Sequence, residues 1–285
     1  MKPAYITDDF LKQFIASALK EDLGDGDHSS LAAIRPDATS RARLLVKDTG
    51  ILAGVEMAWK IFHTVDKSLR VDVQLTDGSE IKTGDIALTV SGLSRSILAS
   101  ERLVLNVMQR MSGIATKTRH LVNLVKGTGS QLLDTRKTTP NFRLPEKWAV
   151  VIGGGHNHRI GLYDMIMLKD NHIDMAGGIK EAINRTNDYL RATGKKLKIE
   201  IETRNLEEVK AVLETGNVDV IMLDNMDNDT MKEAVRLIGG KYKTEASGGI
   251  TEANIRSVAE CGVDYISIGA LTHSVKSLDL SLKAF

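Results

Sequence analysis

The feature that most constrains this sequence is a series of six short apolar runs that each end in charged, hydroxyl or glycine residues. Successive ends lie 33, 33, 22, 23 and 22 residues apart, and the ends are Arg136, Lys169, Glu202, Asp224, Ser247 and Gly269. Amphipathic helical patterns fill the later intervals, at 206–214, 230–237 and 253–261. Strand and helix alternating at this spacing are typical of βαβ units, whose right-handed crossovers build a parallel sheet. We therefore predict an α/β fold, with an irregular barrel of about six or more parallel strands.

The first hundred residues follow a different pattern, which predicts an α+β arrangement. Residues 9–19 have apolar side chains at helical spacing, whereas 71–76 and 86–90 alternate between apolar and polar residues around the turn Asp77-Gly78. A small antiparallel sheet is the expected product. From Ser96 an apolar helical stripe begins, which Ser112-Gly113 is expected to interrupt before a second helix runs to Gly127.

Composition and charge exclude several classes of protein. The 38 basic and 37 acidic side chains nearly cancel, so no overall charge attracts nucleic acid or an anionic membrane. Apolar runs such as 220–223 are far too short to span a bilayer. Asp8 and Asp9 stand where a signal peptide needs apolar residues, and the single cysteine, Cys261, cannot form an intrachain disulfide. We expect a cytoplasmic protein with small-molecule partners, neither nucleic acid nor membrane.

The strand ends predict a site for an anionic ligand, because the C-terminal ends of barrel strands meet at one mouth. Arginine forks match carboxylates with two hydrogen bonds, and glycines at a strand end before a helix allow backbone N–H groups to approach a phosphate. Arg143 and Lys147 are as well explained as solvated surface charges. The candidates for the basic part are Arg136, Lys137, Arg159 and Lys169; those for the phosphate are Ser247, Gly248, Gly249, Gly269 and Ala270.

Two carboxylates and three histidines leave their roles open at this point. Glu202 and Asp224 suit salt bridges, a divalent cation, hydroxyl groups or a developing positive charge on a sugar. His156, His158 and His172 lack the cysteine or carboxylate set of a recognisable zinc site. A hydrogen bond to an anion is the favoured role of His158, which stands beside Arg159.

Taken in order, the motifs resemble the quinolinate phosphoribosyltransferase family over nearly the whole chain. They are Asp-Thr-Arg-Lys-Thr-Thr-Pro at 134–140, Asn-His-Arg at 157–159, Lys-Asp-Asn-His at 169–172, Ser-Gly-Gly at 247–249 and Gly-Ala-Leu-Thr-His-Ser at 269–274. One departure is Asn141, where the family usually has glycine after Thr-Thr-Pro. Because asparagine tolerates the left-handed backbone, we expect this turn to survive.

The resemblance implies a small α+β open-sandwich domain with a linking helix at 1–115, followed by the barrel at 116–285. The C-terminal tail is expected to pack back on the first domain. The implied activity is a pentosyltransferase reaction of de novo NAD biosynthesis, in which quinolinate and 5-phosphoribosyl 1-diphosphate give nicotinate mononucleotide, carbon dioxide and pyrophosphate. It also implies Mg²⁺ as cofactor and a homodimer.

The resemblance assigns roles residue by residue. Lys137, Lys169, Glu202 and Asp224 would be catalytic. Lys137, Glu202 and Asp224 would bind the diphosphate, its metal and the ribose hydroxyls, with Glu202 and Asp224 as the metal ligands. Arg102 would enter the site from the second subunit. The pyridine dicarboxylate would be held by Arg136, His158, Arg159 and Lys169, and the 5-phosphate by Ser247, Gly248, Gly249, Gly269 and Ala270. Thr135 would also bind substrate.

Two alternatives remain at this stage. One is a phosphoribosyltransferase of the same fold that acts on another aromatic acid, such as the proteins linked to molybdate-transport operons. The other is a barrel aldolase or isomerase that uses Lys169 as a Schiff-base nucleophile.

Overall fold

The computed structural model describes residues 2–285. No helix in this range is long and apolar enough to cross a membrane. The strands are β1 (Thr39–Val46), β2 (Gly50–Ile51), β3 (Arg70–Val73), β4 (Glu80–Ile81), β5 (Ile86–Leu93), β6 (Gln131–Leu133), β7 (Ile166–Leu168), β8 (Ile199–Thr203), β9 (Val220–Asp224), β10 (Lys243–Ser247), β11 (Tyr265–Ser267) and β12 (Leu280–Ala284). The helices are α1 (Asp8–Leu23), α2 (His28–Ala33), α3 (Val55–Val65), α4 (Ser94–Leu124), α5 (Arg143–Ile152), α6 (Asp170–Ala176), α7 (Ile179–Thr193), α8 (Leu206–Thr215), α9 (Asn228–Ile238), α10 (Ile255–Ala259) and α11 (Ala270–His273).

One compact unit, here called the sandwich unit, comprises the chain up to Arg119 with Thr138–Gly154 and Ala270–Phe285. Its main antiparallel sheet has the strand order β12-β1-β5-β3. The late strand β12 pairs with the early strand β1. Alternate residues of β1 are buried, as expected for a sheet with one face on a core. The prediction of a small antiparallel domain ahead of the parallel strands is confirmed.

The predicted break at Ser112-Gly113 is wrong, because α4 runs without interruption from Ser94 to Leu124. Both residues serve close packing inside the helix. The Ser112 hydroxyl accepts a hydrogen bond from the backbone N–H of Ala53 at 2.9 Å. A Cβ at Gly113 would lie 2.3 Å from the carbonyl oxygen of Lys276, so glycine permits this close approach.

The turn that follows Thr-Thr-Pro has the expected left-handed residue. Asn141 has a φ of 62°, so asparagine does replace glycine there. The neighbouring backbone is held by Glu146, which accepts hydrogen bonds from the Thr139 N–H at 3.0 Å and from the Arg110 guanidinium at 2.8 Å. Glu146 is fully buried, so these charge-assisted bonds replace its lost hydration.

The second compact unit, here called the barrel unit, comprises His120–Lys137 and Gly155–Gly269. Its six strands form one parallel sheet in the order β6-β11-β10-β9-β8-β7, which confirms the predicted α/β fold with six parallel strands. Among the described residues no ladder joins β7 to β6, so the sheet has an open seam. A single parallel bridge between Leu133 and His156 lies beside this seam.

Short capped connections bring the strand ends of the barrel unit close to the helices that follow. Asn205 caps α8 by accepting a hydrogen bond from the Glu208 N–H, and Asp227 caps α9 through the N–H groups of Asp229 and Thr230. Val209 and Val212 of α8 and Met231 of α9 are buried. The polar residues at the strand ends are therefore attached to rigid elements, which suits a binding site.

Candidate active site

A cavity of about 310 Å³ lies in the barrel unit and is bordered by residues at and just after the C-terminal ends of the strands. Eight of the predicted site residues line it: Thr135, Arg136, Lys137, His158, Arg159, Lys169, Glu202 and Ser247. Met167, Met222, Glu245 and Ser267 complete the lining. The structure therefore brings these eight residues together around one cavity, and their binding of a ligand stays a prediction.

The first polar loop is anchored by Asp134, which is fully buried directly after β6. Its carboxylate accepts hydrogen bonds from the Asn157 side chain at 2.5 Å and from the His158 N–H at 3.0 Å. Backbone hydrogen bonds between β6 and His156 tie the same segment down from the other side. The loop that carries Arg136 and the segment that carries His158 and Arg159 are consequently fixed against each other.

Arg136 and Arg159 bring two positive charges to this cavity. Burial, and then repulsion by Arg136, lower the pKa of the Arg159 guanidinium from its usual value. A guanidinium stays protonated at neutral pH, so the repulsion persists until anionic groups offset it. The pair is suited to a ligand with closely spaced carboxylates.

Lys169 and Glu202 form an ion pair within the cavity, with 2.5 Å between Nζ and Oε1. Lys169 immediately follows β7 and is the N-cap residue of α6, where its backbone N–H donates to Nδ1 of His172. The second oxygen of Glu202 accepts from the Asp170 N–H at 3.4 Å. Burial, and then the charge of Glu202, raise the pKa of Asp224 at the end of β9. Negative charge is thus concentrated beside the cationic group.

The Ser-Gly-Gly segment turns sharply after β10. Gly248 and Gly249 have φ values of 86° and 61°, which glycine adopts without steric cost. A Cβ on Gly248 would lie 2.2 Å from Oδ1 of Asn225, whereas a Cβ on Gly249 would have no heavy atom within 4 Å. Gly248 is therefore required by packing against Asn225, and Gly249 leaves open space for a ligand.

The carboxylates of this site accept hydrogen bonds from protein donors. Both oxygens of Glu202 accept hydrogen bonds from protein donors, and Asp224 accepts one from the Asn225 amide at 2.8 Å. Among residues 2–285, the one group of three or more side chains with metal-ligand spacing is His158, Glu200 and Glu245. The binding of a metal by Glu202 and Asp224 stays a prediction.

Glu200 and Glu245 were not among the predicted site residues, yet they are buried beside His158. Oε2 of Glu200 lies 2.8 Å and Oε2 of Glu245 lies 3.5 Å from Nε2 of His158. These three residues are called the interior cluster below. A signal was present in the sequence: strand residues alternate between faces, so Glu200 shares a face with Glu202 and Glu245 with Ser247.

Other predicted residues lie outside the cavity lining. Gly269 follows β11 and precedes α11, in which Ala270 is the first residue, while Arg102 is exposed on α4 in the sandwich unit. Lys147 corrects an expectation: it is fully buried on α5, not a solvated surface charge. Its helix buries a continuous run of residues, which single-residue polarity does not reveal. His156 and His172 are exposed.

Comparisons with known proteins identify both halves of the chain. Residues 27–112 match the family model "Quinolinate phosphoribosyl transferase, N-terminal domain", and residues 114–283 match "Quinolinate phosphoribosyl transferase, C-terminal domain". A rice (Oryza sativa subsp. japonica) protein named nicotinate-nucleotide pyrophosphorylase (carboxylating), chloroplastic, is 47% identical over 99% of this chain and 79% of its own length. A tobacco (Nicotiana tabacum) protein, quinolinate phosphoribosyltransferase (decarboxylating) 1b, is 46% identical over 99% of this chain and 84% of its own. The solved structure of NadC from Streptococcus pyogenes has a TM-score of 0.92 and 38% identity, covering 98% of this chain and 97% of that one.

Proposed function

The chain belongs to the quinolinate phosphoribosyltransferase family, and from that premise we propose that it transfers phosphoribosyl from 5-phosphoribosyl 1-diphosphate to quinolinate. The products are nicotinate mononucleotide, carbon dioxide and pyrophosphate, in de novo NAD biosynthesis. The observation that carries this proposal is the convergence of Arg136, Arg159 and Lys169 on a cavity that also contains Glu202. Three cations suit a dicarboxylate, and a carboxylate among them suits a ribose that becomes positively charged during transfer.

The cationic residues divide between the two substrates in this proposal. Arg136 and Arg159 bind the carboxylates of quinolinate, because their mutual repulsion is relieved by two nearby negative charges. Lys169, which directly follows β7 at the other edge of the parallel sheet, binds the same ligand. Lys137 is exposed at the rim of the cavity, and we assign it to binding the diphosphate that leaves.

The transfer step uses the pyridine nitrogen as nucleophile. Its lone pair attacks the anomeric carbon of the ribose while the bond to diphosphate breaks. Positive charge develops on the ribose, and the Glu202 carboxylate stabilises it electrostatically. The ion pair with Lys169 holds the Glu202 carboxylate in position. The half-buried Asp224 lies on the neighbouring strand, where we assign it to the ribose hydroxyls and the diphosphate.

Decarboxylation follows from the same bond formation. Once its nitrogen is alkylated, the ring is a pyridinium, and the positive nitrogen stabilises the electron pair that stays on the adjacent ring carbon when carbon dioxide departs. No additional decarboxylation cofactor is required. The ring nitrogen thus serves first as nucleophile and then as the positive charge that stabilises the carbanion, and the protein must hold the carboxylate that is lost and exclude competing reactions.

We assign the 5-phosphate of the ribose to Ser247, Gly248 and Gly249 together with Gly269 and Ala270. Support comes from the positive φ values of the two glycines after β10 and from the open space beside Gly249. Ser247 lines the cavity and offers a hydroxyl donor.

The need for Mg²⁺ stays a prediction. Because the oxygens of Glu202 are occupied by Lys169 and Asp170, we propose that the metal enters as a complex with the diphosphate and is not held in a protein-only site. When present, it would neutralise charge on the leaving group.

The assembly and compartment are likewise proposed. A homodimer in which Arg102 reaches the partner's site is supported by the exposure of this arginine on α4. A cytoplasmic location rests on the single, buried Cys261, although the rice relative is named chloroplastic.

The decisive experiment is an assay of the purified chain with quinolinate and 5-phosphoribosyl 1-diphosphate, with and without Mg²⁺. We expect equal amounts of nicotinate mononucleotide, carbon dioxide and pyrophosphate. Preferential use of nicotinate or another aromatic acid would overturn the assignment of quinolinate. Borohydride trapping tests the aldolase alternative, which the ion pair of Lys169 with Glu202 disfavours because Schiff-base formation would have to break it.

A further inference from the structure

Two cavities meet at the interior cluster. The second cavity, of about 370 Å³, is bordered by residues at the N-terminal ends of the strands, among them Gln131, Lys198, Asp219, Lys243 and Tyr265. His158, Arg159 and Glu245 line both this cavity and the active-site cavity, whereas Glu200 lines the second one only. The interior cluster therefore lies between the active-site cavity and the second cavity.

The imidazole of His158 is held in one tautomer. Its Nδ1 accepts a hydrogen bond from the backbone N–H of Arg159 at 2.7 Å. A backbone amide is always a donor, so Nδ1 carries no proton and Nε2 must carry one. The Nε2–H faces Oε2 of Glu200 at 2.8 Å. This tautomer offers no lone pair at Nε2, which excludes a metal ion shared with Glu200 and Glu245 despite their spacing.

The two carboxyl groups of the cluster share at least one proton. Their side chains are only 1% and 2% exposed, and the facing atoms of the three residues lie within 4.8 Å of one another. Two ionised carboxylates at this distance, next to a neutral imidazole, would repel each other strongly. Burial, and then the charge of Glu200, raise the pKa of Glu245 to about 8. Burial raises the pKa of Glu200 only to about 7, because the charges of Arg159 and Lys169 oppose it. Glu200 also lies closer to Nε2 of His158 than Glu245 does, so Glu245 is the residue that keeps the proton.

We propose that Glu245 donates the proton that completes the decarboxylation, an inference that rests on the proposed reaction. The bond between the ring carbon next to the nitrogen and its carboxylate carbon breaks, and its electron pair stays on the ring carbon. Carbon dioxide recombines with the ring carbon until that carbon takes the proton of the Glu245 carboxyl group, which becomes a carboxylate. Protonation therefore makes the loss of carbon dioxide irreversible and sets the rate of its release. Glu245 borders the same cavity as the arginines assigned to the pyridine dicarboxylate.

The second cavity accounts for the return of the proton. After donation, Glu245 would be an ionised carboxylate beside the ionised Glu200, which favours rapid uptake of a proton. Glu245 also borders the second cavity, whose polar lining and volume accommodate water. Reprotonation from that side does not require the nucleotide product to leave first.

Single-turnover measurements on Glu245→Gln test the proposal, with enzyme in excess over quinolinate labelled in the carboxylate that is lost. Pyrophosphate reports the transfer step, and labelled carbon dioxide reports the decarboxylation. We expect pyrophosphate release within about threefold of wild type and carbon dioxide release at least tenfold slower, with the carboxylated mononucleotide accumulating in between. Glu214→Gln, which makes the same change at an exposed position, should leave both rates unchanged.

Equal rates of pyrophosphate and carbon dioxide release in folded Glu245→Gln, whether normal or both slowed, would overturn the proposal. Failure of the wild-type chain to release pyrophosphate from these substrates would instead refute the proposed function. A second variant guards against misfolding of the first: in Glu245→Ala, sodium formate should restore carbon dioxide release, whereas sodium chloride at equal ionic strength should not. No rescue by formate in a folded variant would also count against Glu245 as the donor.

Discussion

Nζ of Lys169 and Oε1 of Glu202 lie 2.5 Å apart, across the neighbouring ends of β7 and β8. The Glu202 side chain is 10% exposed and that of Lys169 is 46% exposed. The buried partner therefore depends on the exposed one for charge compensation. A ligand that approaches Lys169 meets an ammonium group already oriented by this contact.

The first prediction concerns Lys169→Met. The variant loses a charge-assisted hydrogen bond, which contributes about 1.5–3 kcal/mol, and leaves Glu202 without its cation. We expect kcat/KM for quinolinate to fall by about 100-fold or more, measured by steady-state kinetics. Lys180→Met, at an exposed position of α7, is the control for removing a surface lysine. Retained activity in a folded Lys169→Met protein would remove this residue from the site.

Arg159→Lys tests whether the fork geometry of the guanidinium matters, since the charge is retained. A lysine cannot make the two parallel hydrogen bonds of an arginine with a carboxylate. We expect the KM for quinolinate to rise about tenfold or more, with a smaller change in the KM for 5-phosphoribosyl 1-diphosphate. Arg236→Lys, in an exposed pair with Glu233, should alter neither value. Equal increases in both KM values would indicate a general disturbance of the cavity.

Gly249→Ala tests the proposed binding of the 5-phosphate by residues 247–249. It is preferable to a substitution at Gly248, where a Cβ would collide with Asn225. The left-handed backbone at Gly249 makes alanine unfavourable by about 1–2 kcal/mol. Gly194→Ala is the matched control, because Gly194 has a φ of 65° and equally open surroundings. Urea unfolding should show similar destabilisation of both variants. Only Gly249→Ala should raise the KM for 5-phosphoribosyl 1-diphosphate. An equal increase in Gly194→Ala would indicate that residues 247–249 form a turn without a role in phosphate binding.

Arg102→Ala and Lys169→Met together test the proposed sharing of sites in a homodimer. Each variant alone should be nearly inactive. In a mixed dimer one site would combine intact Lys169 with the intact Arg102 of the other chain, and the second site would lack both. Random exchange makes half of the dimers mixed, so about a quarter of wild-type activity should return on co-refolding. Native mass spectrometry verifies the mixing. Confirmed mixed dimers without activity would place Arg102 in its own subunit's site or in the interface alone.

The buried carboxyl pair predicts how stability changes with pH. Burial is the first cause that raises the pKa of Glu200 to about 7 and that of Glu245 to about 8, whereas unfolded glutamate titrates near 4.5. Between these values the folded state holds more protons than the unfolded state, so this pair lowers the free energy of unfolding as pH rises. Glu245→Gln should therefore gain stability relative to wild type between pH 5.5 and pH 8.5, measured by urea unfolding. A constant difference across that interval would contradict a protonated Glu245.

Local sequence patterns predicted most of the fold, because the apolar run of each parallel strand is followed by a polar or glycine residue. Even β6, β7 and β11, with three residues each, were found in this way. The local sequence did not predict that α4 continues through Ser112 and Gly113. Gly113 is explained by a carbonyl of Lys276, which lies 163 positions later in the sequence, and no local pattern encodes that contact.

The site was predictable where charge stands at a strand end and unpredictable where charge lies within a strand. Arg136, Lys169 and Glu202 were found from their positions after apolar runs. Glu200 and Glu245 lie inside strands whose central residues are buried, where a carboxylate is normally excluded by its desolvation cost. The burial of Glu200 and Glu245 depends on their contacts with each other and with His158. These contacts join three separate segments of the chain, so no local sequence pattern predicts them.

The pairing of β1 with β12 has a consequence for biosynthesis. During translation β1 and β5 emerge long before residues 280–284, so one edge of the sandwich sheet stays unpaired while the whole barrel unit is being made. An open strand edge of this kind invites association with other chains. Arg41 and Arg43 put positive charge on that strand, and both later lie over the ring of Phe285. The residues that complete the sheet thus also cover two arginines that we expect to oppose association between nascent chains before β12 is made.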